Sequence, residues 1–198
     1  MDVWQTLLQN TRGFLPALVG ALVGGIFSML SNKRAIREER AKEVRRDEKE
    51  VQNLLDALGV ELGTLWNFHM ARIGAMVENL PEGGALEFYY PLTQDYFTIY
   101  NNNASKIGQV KDPILREAIV VCYNKCKKLV DGFKYNNELY RDYRNLLLMP
   151  PSSAQHGDFV KAKYAELVAY GQISKEDHFE LKGNVERLLR LLGNRSQA

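Results

Sequence analysis

The chain has 198 residues, of which 45% are hydrophobic, and its 26 basic against 24 acidic residues leave a formal net charge of +2. So even a balance excludes a whole-molecule attraction to nucleic acid, and any basic partner site must be local. The length suits one folded unit with an appendage, large enough to bury a workable core.

The first predicted element is the run from Gly13 to Arg34, GFLPALVGALVGGIFSMLSNKR. Between Arg12 and Lys33 lie 20 residues without a formal charge. At about 1.5 Å rise per residue a helix of that length spans roughly the 30 Å hydrocarbon core of a bilayer. Leu, Val, Ile and Phe are spread all round the run, whereas a soluble core helix would show a polar face. A cleaved export signal would call for a basic start, and MDVWQTLLQNTRGF offers Asp2 and only Arg12. The run therefore reads as a transmembrane helix over 14–32, after a short extracytoplasmic tail over 1–13.

Inside the run, small residues recur every four positions: Gly20, Gly24 and Ser28 on one ridge, and Ala17, Ala21 and Gly25 on the next. Ridges without bulk let helix backbones approach closely, so these six residues are the candidates for self-association in the membrane. The segment that follows, NKRAIREERAKEVRR, carries seven basic residues against three acidic. The positive-inside bias keeps that side in the cytoplasm and sends the amino terminus out. Lys33, Arg34 and Arg37 are placed to contact anionic lipid headgroups.

From 33 to 50 the chain is charged and free of Pro and Gly, with Arg34/Glu38 and Glu38/Lys42 four apart, which predicts a helical stalk. Beyond it Val51, Leu55, Leu58, Leu62, Leu65, Trp66, His69, Ile73, Met76 and Leu80 step at three or four residues, an amphipathic helix ending at NLPEGG. LEFYY is the one strand candidate. A short helix is expected from Thr93 to about Ser105. Asp112 and Pro113 then cap and open a long helix through Leu115, Ile119, Cys122, Cys126, Leu129, Phe133, Tyr140 and Leu147. A further helix is expected from Asp158 to Tyr170, stopped by Gly171. A last one is expected to open on a Ser174/Asp177 capping box and to bury Leu181, Val185, Leu188 and Leu192. The fold class is all-α: a transmembrane helix continuing into a charged helix, then a cytosolic antiparallel helical bundle over 51–198.

Few residues advertise chemistry. His69, His156 and His178 lie far apart without metal-binding spacing. His69 sits on an apolar stripe beside Trp66, the position of a satisfied core histidine. Cys122 and Cys126, one turn apart, read as buried packing; two cysteines make no disulfide framework and suit a reducing compartment. A dyad of His156 and Asp158 lacks a nucleophile motif. There is no P-loop, no dinucleotide fingerprint, no GxSxG and no DNA-binding motif, so no catalytic residue, metal or cofactor is assigned. The best polar feature is on the long helix, where Lys127, Lys134 and Arg141 repeat every seven residues with Tyr123, Tyr135 and Tyr140 interleaved. Such a face suits a phosphate-bearing ligand or a nucleic acid, with cations reading charge and rings available for stacking.

The layout of an LPALVGALVGG-type span, a basic helix and a helical domain resembles a loose group of small bacterial inner-membrane proteins. YYPLTQDYFTIYNNNASKIG and LREAIVVCYNKCKKLVDGFKYNN look like segments of that group. Some of its members accompany CRISPR or other anti-phage systems as membrane-disrupting effectors or accessory proteins, and no residue role is carried over from them. The resemblance implies a non-enzymatic, self-associating inner-membrane protein. In that picture the cytosolic domain answers a protein, nucleotide or RNA trigger and the membrane, with its lipids as partner, is permeabilised. The alternative is a tethered scaffold whose span is only an anchor.

Overall fold

The computed structural model describes residues 3–92, 95–150 and 155–194, with the side chains of residues 3–28, 30 and 31 outside that description. The chain is all-helical: α1 (Val3–His69), a π-helical turn (Met70–Gly74), α2 (Ala75–Glu78), α3 (Thr98–Asn102), α4 (Ala104–Ile107), α5 (Pro113–Leu148) and α6 (His156–Gly193). It divides into two compact units, 1–50 and 51–198. In the first, α1 begins at Val3, ahead of the position read as the start of a span, and the described side chains from Asn32 to Glu50 are exposed on every side of the helix. Among the described residues no helix is long and apolar enough to cross a membrane. The side chains of the run read as a span, 14–32, those of Ala17, Gly20, Ala21, Gly24, Gly25 and Ser28 included, lie almost wholly outside the description.

The second unit is built on three helical segments. Tyr123 reaches the Leu58 carbonyl and the Glu61 carboxylate, and Phe133 packs on His69, so α5 runs in the same direction as α1. Lys125 pairs with Glu180, and Tyr143 packs on Tyr164, so α6 returns antiparallel to both. The expected antiparallel bundle therefore has one parallel pair, which the long connection from Asn79 to Asp112 makes possible. Leu55, Leu58, Leu62, Leu115, Ile119, Cys122, Tyr123, Leu181, Val185 and Leu188 form the centre of the core. Each such aliphatic side chain contributes about 2 kcal/mol by leaving water.

Asp112 caps α5 as its sequence predicts, its carboxylate accepting from the Ile114 and Leu115 N–H groups with Pro113 in the first turn. Four other expectations are corrected. The apolar stripe of α1 does not continue through Met76, which is 53% exposed; Val77 is buried in its place. The π-helical turn adds a residue to the winding, which turns Met76 outward and Val77 inward.

LEFYY has no regular secondary structure and pairs with no strand among the described residues. Two asparagines of α5 serve as its ladder instead. Asn137 accepts from the Tyr90 N–H at 2.8 Å and donates to the Tyr90 carbonyl at 2.6 Å, and Asn136 donates to the Leu86 and Phe88 carbonyls. Side-chain amides can satisfy an extended backbone because they carry the same donor and acceptor as a peptide. The short helix expected from Thr93 to Ser105 is two, α3 and α4, and α3 is capped from a distance: Glu61 of α1 accepts from the Ile99 and Tyr100 N–H groups.

Gly171 does not stop a helix. α6 passes through it, and the Ser174/Asp177 capping box is absorbed, with Ser174 buried and Asp177 bound to Lys128 at 2.7 Å. The glycine is needed for close approach. A Cβ there would stand 3.1 Å from the Gly84 carbonyl oxygen and 3.3 Å from the Leu86 nitrogen, where the 80–86 connection crosses α6. Gln172 and Lys175, just beyond it on α6, donate to the Pro81, Gly84 and Leu80 carbonyls. Gly171→Val therefore forces backbone from backbone and is expected to cost about 1–3 kcal/mol. Gly157→Val, in open space, is the control. Urea midpoints measure both, and equal midpoints would contradict the crossing.

Candidate functional site

The fold brings together two histidines that are 109 residues apart in the chain. His69 ends α1 and lies just before the π-helical turn; His178 sits in the middle of α6, completely buried. His69 Nε2 and His178 Nδ1 are 2.9 Å apart, and His178 Nε2 lies 3.1 Å from Glu78 Oε1. Lys182, one turn along α6 from His178, binds the same carboxylate oxygen at 2.8 Å. The imidazoles are enclosed by rings: Trp66 lies 5.1 Å from His69 and 5.5 Å from His178, and Phe133 lies 5.8 Å from His69.

The Lys182 ammonium, followed by His178, holds the Glu78 carboxyl below the usual carboxylate range. An ionised carboxylate only accepts hydrogen bonds, so His178 Nε2 donates to it. Burial, reinforced by the neighbouring His178, pushes His69 down to about 4. At neutral pH it is therefore an uncharged imidazole with Nε2 engaged by His178, which leaves Nδ1. That nitrogen has no hydrogen-bond partner among the described residues.

His69 also forms part of the wall of a cavity of about 70 Å³, together with Leu62, Leu65, Trp66, Tyr90, Phe97, Leu129 and Phe133. Tyr96 and Cys126 are the other polar-capable lining residues besides Trp66 and Tyr90. Phe97 holds its place with φ of +67°, left-handed backbone that is rare for a bulky side chain. Its ring packs edge-on against Tyr123, and the capping of α3 by Glu61 fixes the residues that follow. Strain of this size, about 1–3 kcal/mol, persists only where neighbours over-determine it.

A general base works best with a pKa near the operating pH, and an imidazole held near 4 is too weak a base for that. Cys126 is no ready nucleophile either: a side-chain hydrogen bond with Cys122 and burial push its thiol far up. Both cysteines are free and buried. Among the described residues no group of three or more His, Cys, Asp or Glu side chains is arranged to hold a metal.

The basic residues read from the sequence are placed differently from one another. Lys127 and Lys134 line an open groove with Asp95, Asn101 and Asp131. Lys127 donates to Asn101 and stands 4.9 Å over the Tyr100 ring, while Lys134 pairs with Asp131 at 3.0 Å. Arg141 is outside that groove, 4.0 Å from Asp142. Of the interleaved tyrosines, Tyr123 is buried with its hydroxyl on Glu61, and Tyr135 packs edge-on against Tyr170. Lys33, Arg34 and Arg37 are exposed on α1. The histidine pair escapes the sequence because nothing in the spacing joins residues 69 and 178. Its one signal is that each histidine occupies an apolar stripe of its own helix.

No family model, no curated protein and no solved structure matches the chain.

The lowered His69 makes stability depend on pH. Its folded value lies below the unfolded 6.5, so the folded state binds fewer protons, and the contribution is complete above pH 6.5 and lost as pH falls through 4. The difference amounts to about 3 kcal/mol across that window. In urea titrations between pH 7 and 4, His69→Gln is expected to lose markedly less stability than the unaltered chain. Parallel curves would contradict the burial of a neutral imidazole.

Proposed function

We propose that the chain is a non-enzymatic, membrane-tethered receiver. In this reading residues 14–32 cross the bacterial inner membrane with the amino terminus out, and the helical unit over 51–198 stands in the cytoplasm and takes up a signal. The observation that carries it is the aromatic-walled cavity with a neutral imidazole in its wall and no poised base or nucleophile beside it. Such a site gains binding energy from apolar burial and fixes orientation with few polar contacts.

The output proposed is self-association through Ala17, Gly20, Ala21, Gly24, Gly25 and Ser28, leading to permeabilisation or depolarisation of the membrane in an anti-phage setting. Small-residue ridges support this because they let spans pack backbone to backbone. Bulk on those ridges is expected to block it. In cells expressing the chain, Gly20→Leu with Gly24→Leu should abolish dye-reported depolarisation while the protein stays in the membrane fraction. Undiminished depolarisation would overturn the self-association reading.

A tethered scaffold is the second reading. It is favoured by the apolar side chains left exposed at the end of the α5–α6 pair, Leu147, Leu148, Met149 and Phe159. A scaffold would keep its activity when residues 14–31 are exchanged for an unrelated span.

A further inference from the structure

We infer that the outer ends of α5 and α6 form an arm that pairs with the same arm of a second copy of the chain. The apolar tip of each arm seats in the groove of the other, which makes four antiparallel helices. This goes beyond the self-association proposed for residues 14–32 and does not depend on it.

The arm is the part of the second unit that has no core of its own. The last buried side chain of α5 is Leu139 and the first of α6 is Leu167, and between those positions no described residue of either helix is buried. A pair of helices normally covers its apolar face with another element. Here Leu147, Leu148, Met149 and Phe159 instead stand 50, 75, 56 and 59% exposed. Beside them Tyr143, Val160, Tyr164, Ala165 and Val168 line an open groove of about 530 Å³. A core cavity of ~150 Å³ takes one benzene ring, so the groove has room for two or three large apolar side chains.

Area and charge select a second copy as the occupant. At roughly 200 Å² for a large apolar side chain, the four residues of the tip expose about 500 Å². The surface that covers them loses a similar area, and a two-fold pair makes the contact twice. The total, of order 1,500–2,000 Å², is that of a stable interface. Residues 138–166 carry four basic and four acidic side chains. So balanced an arm does not repel its own copy, whereas an anionic lipid surface or a nucleic acid calls for an excess of Lys and Arg.

Sedimentation equilibrium of the full chain in density-matched micelles tests this, with Gly20→Leu and Gly24→Leu present throughout so that the span is not what associates. A dimer is expected at micromolar concentration. Leu148→Glu, on the tip, and Ala165→Arg, in the groove wall, should each weaken it at least about tenfold, the loss of one well-buried anchor. Val60→Glu, comparably exposed but on α1, should leave it unchanged. The Leu148→Glu and Ala165→Arg chains should pair when mixed, because the mixed dimer has one native contact and one in which Glu meets Arg. That recovery also shows that both variants fold.

A monomer at tens of micromolar would overturn the proposal and leave the arm to the protein partner of the scaffold reading. A dimer that neither variant weakens would overturn it as well, and failure of the mixed variants to pair would overturn the seating of tip in groove. The depolarisation test of residues 14–32 stands apart from all of these results.

Discussion

The second unit depends on one carboxylate. Glu78 closes α2 and is bound by both Lys182 and His178 of α6, so it joins the end of the first long helix to the middle of the last. Without it the fully buried His178 would keep a donor with no acceptor, at a cost of about 1–3 kcal/mol. The π-helical turn between His69 and Glu78 serves the same end. By adding a residue to the winding it lets Ile73 and Val77 face the core while His69 and Glu78 both reach one side chain of α6. π-turns of this kind are frequent at functional sites. Here the turn sits directly against the wall of the cavity.

A second carboxylate does comparable work at a different level of the unit. Glu61 caps α3 and accepts from the Tyr123 hydroxyl, tying α1, α3 and α5 together around the left-handed Phe97. Tyr123 is pushed far above its usual value by burial first and by Glu61 second, so its hydroxyl remains a donor. The aromatic wall between the two carboxylates is held from both ends. A preorganised pocket of this kind loses little free energy to ordering when a ligand enters.

How much of this was legible in the sequence depended on whether the deciding contact was local. The start of α5 was legible because Asp112 and Pro113 satisfy and shape the first turn from within it. The buried stripe Leu181, Val185, Leu188 and Leu192 was legible from its period. Gly171 was misread as a stop because its reason is a connection almost ninety residues earlier in the chain, as the Gln172 contact to Gly84 shows. LEFYY looked like a strand from its aromatic residues, but its partners are the side chains of Asn136 and Asn137, which no strand pattern anticipates. The histidine pair is the extreme case, two unremarkable core positions that become a site only once α6 turns back along α1. The proposed output through 14–32 still rests on sequence, on a run of apolar and small residues flanked by charge.

The contact between the two histidines is the claim on which the site rests. Long-range ¹H–¹⁵N correlation of the histidine side chains at neutral pH measures it directly. A hydrogen-bond coupling between His69 Nε2 and His178 Nδ1 is predicted, with His69 uncharged. Absence of that coupling, or a charged His69 at neutral pH, would contradict the account.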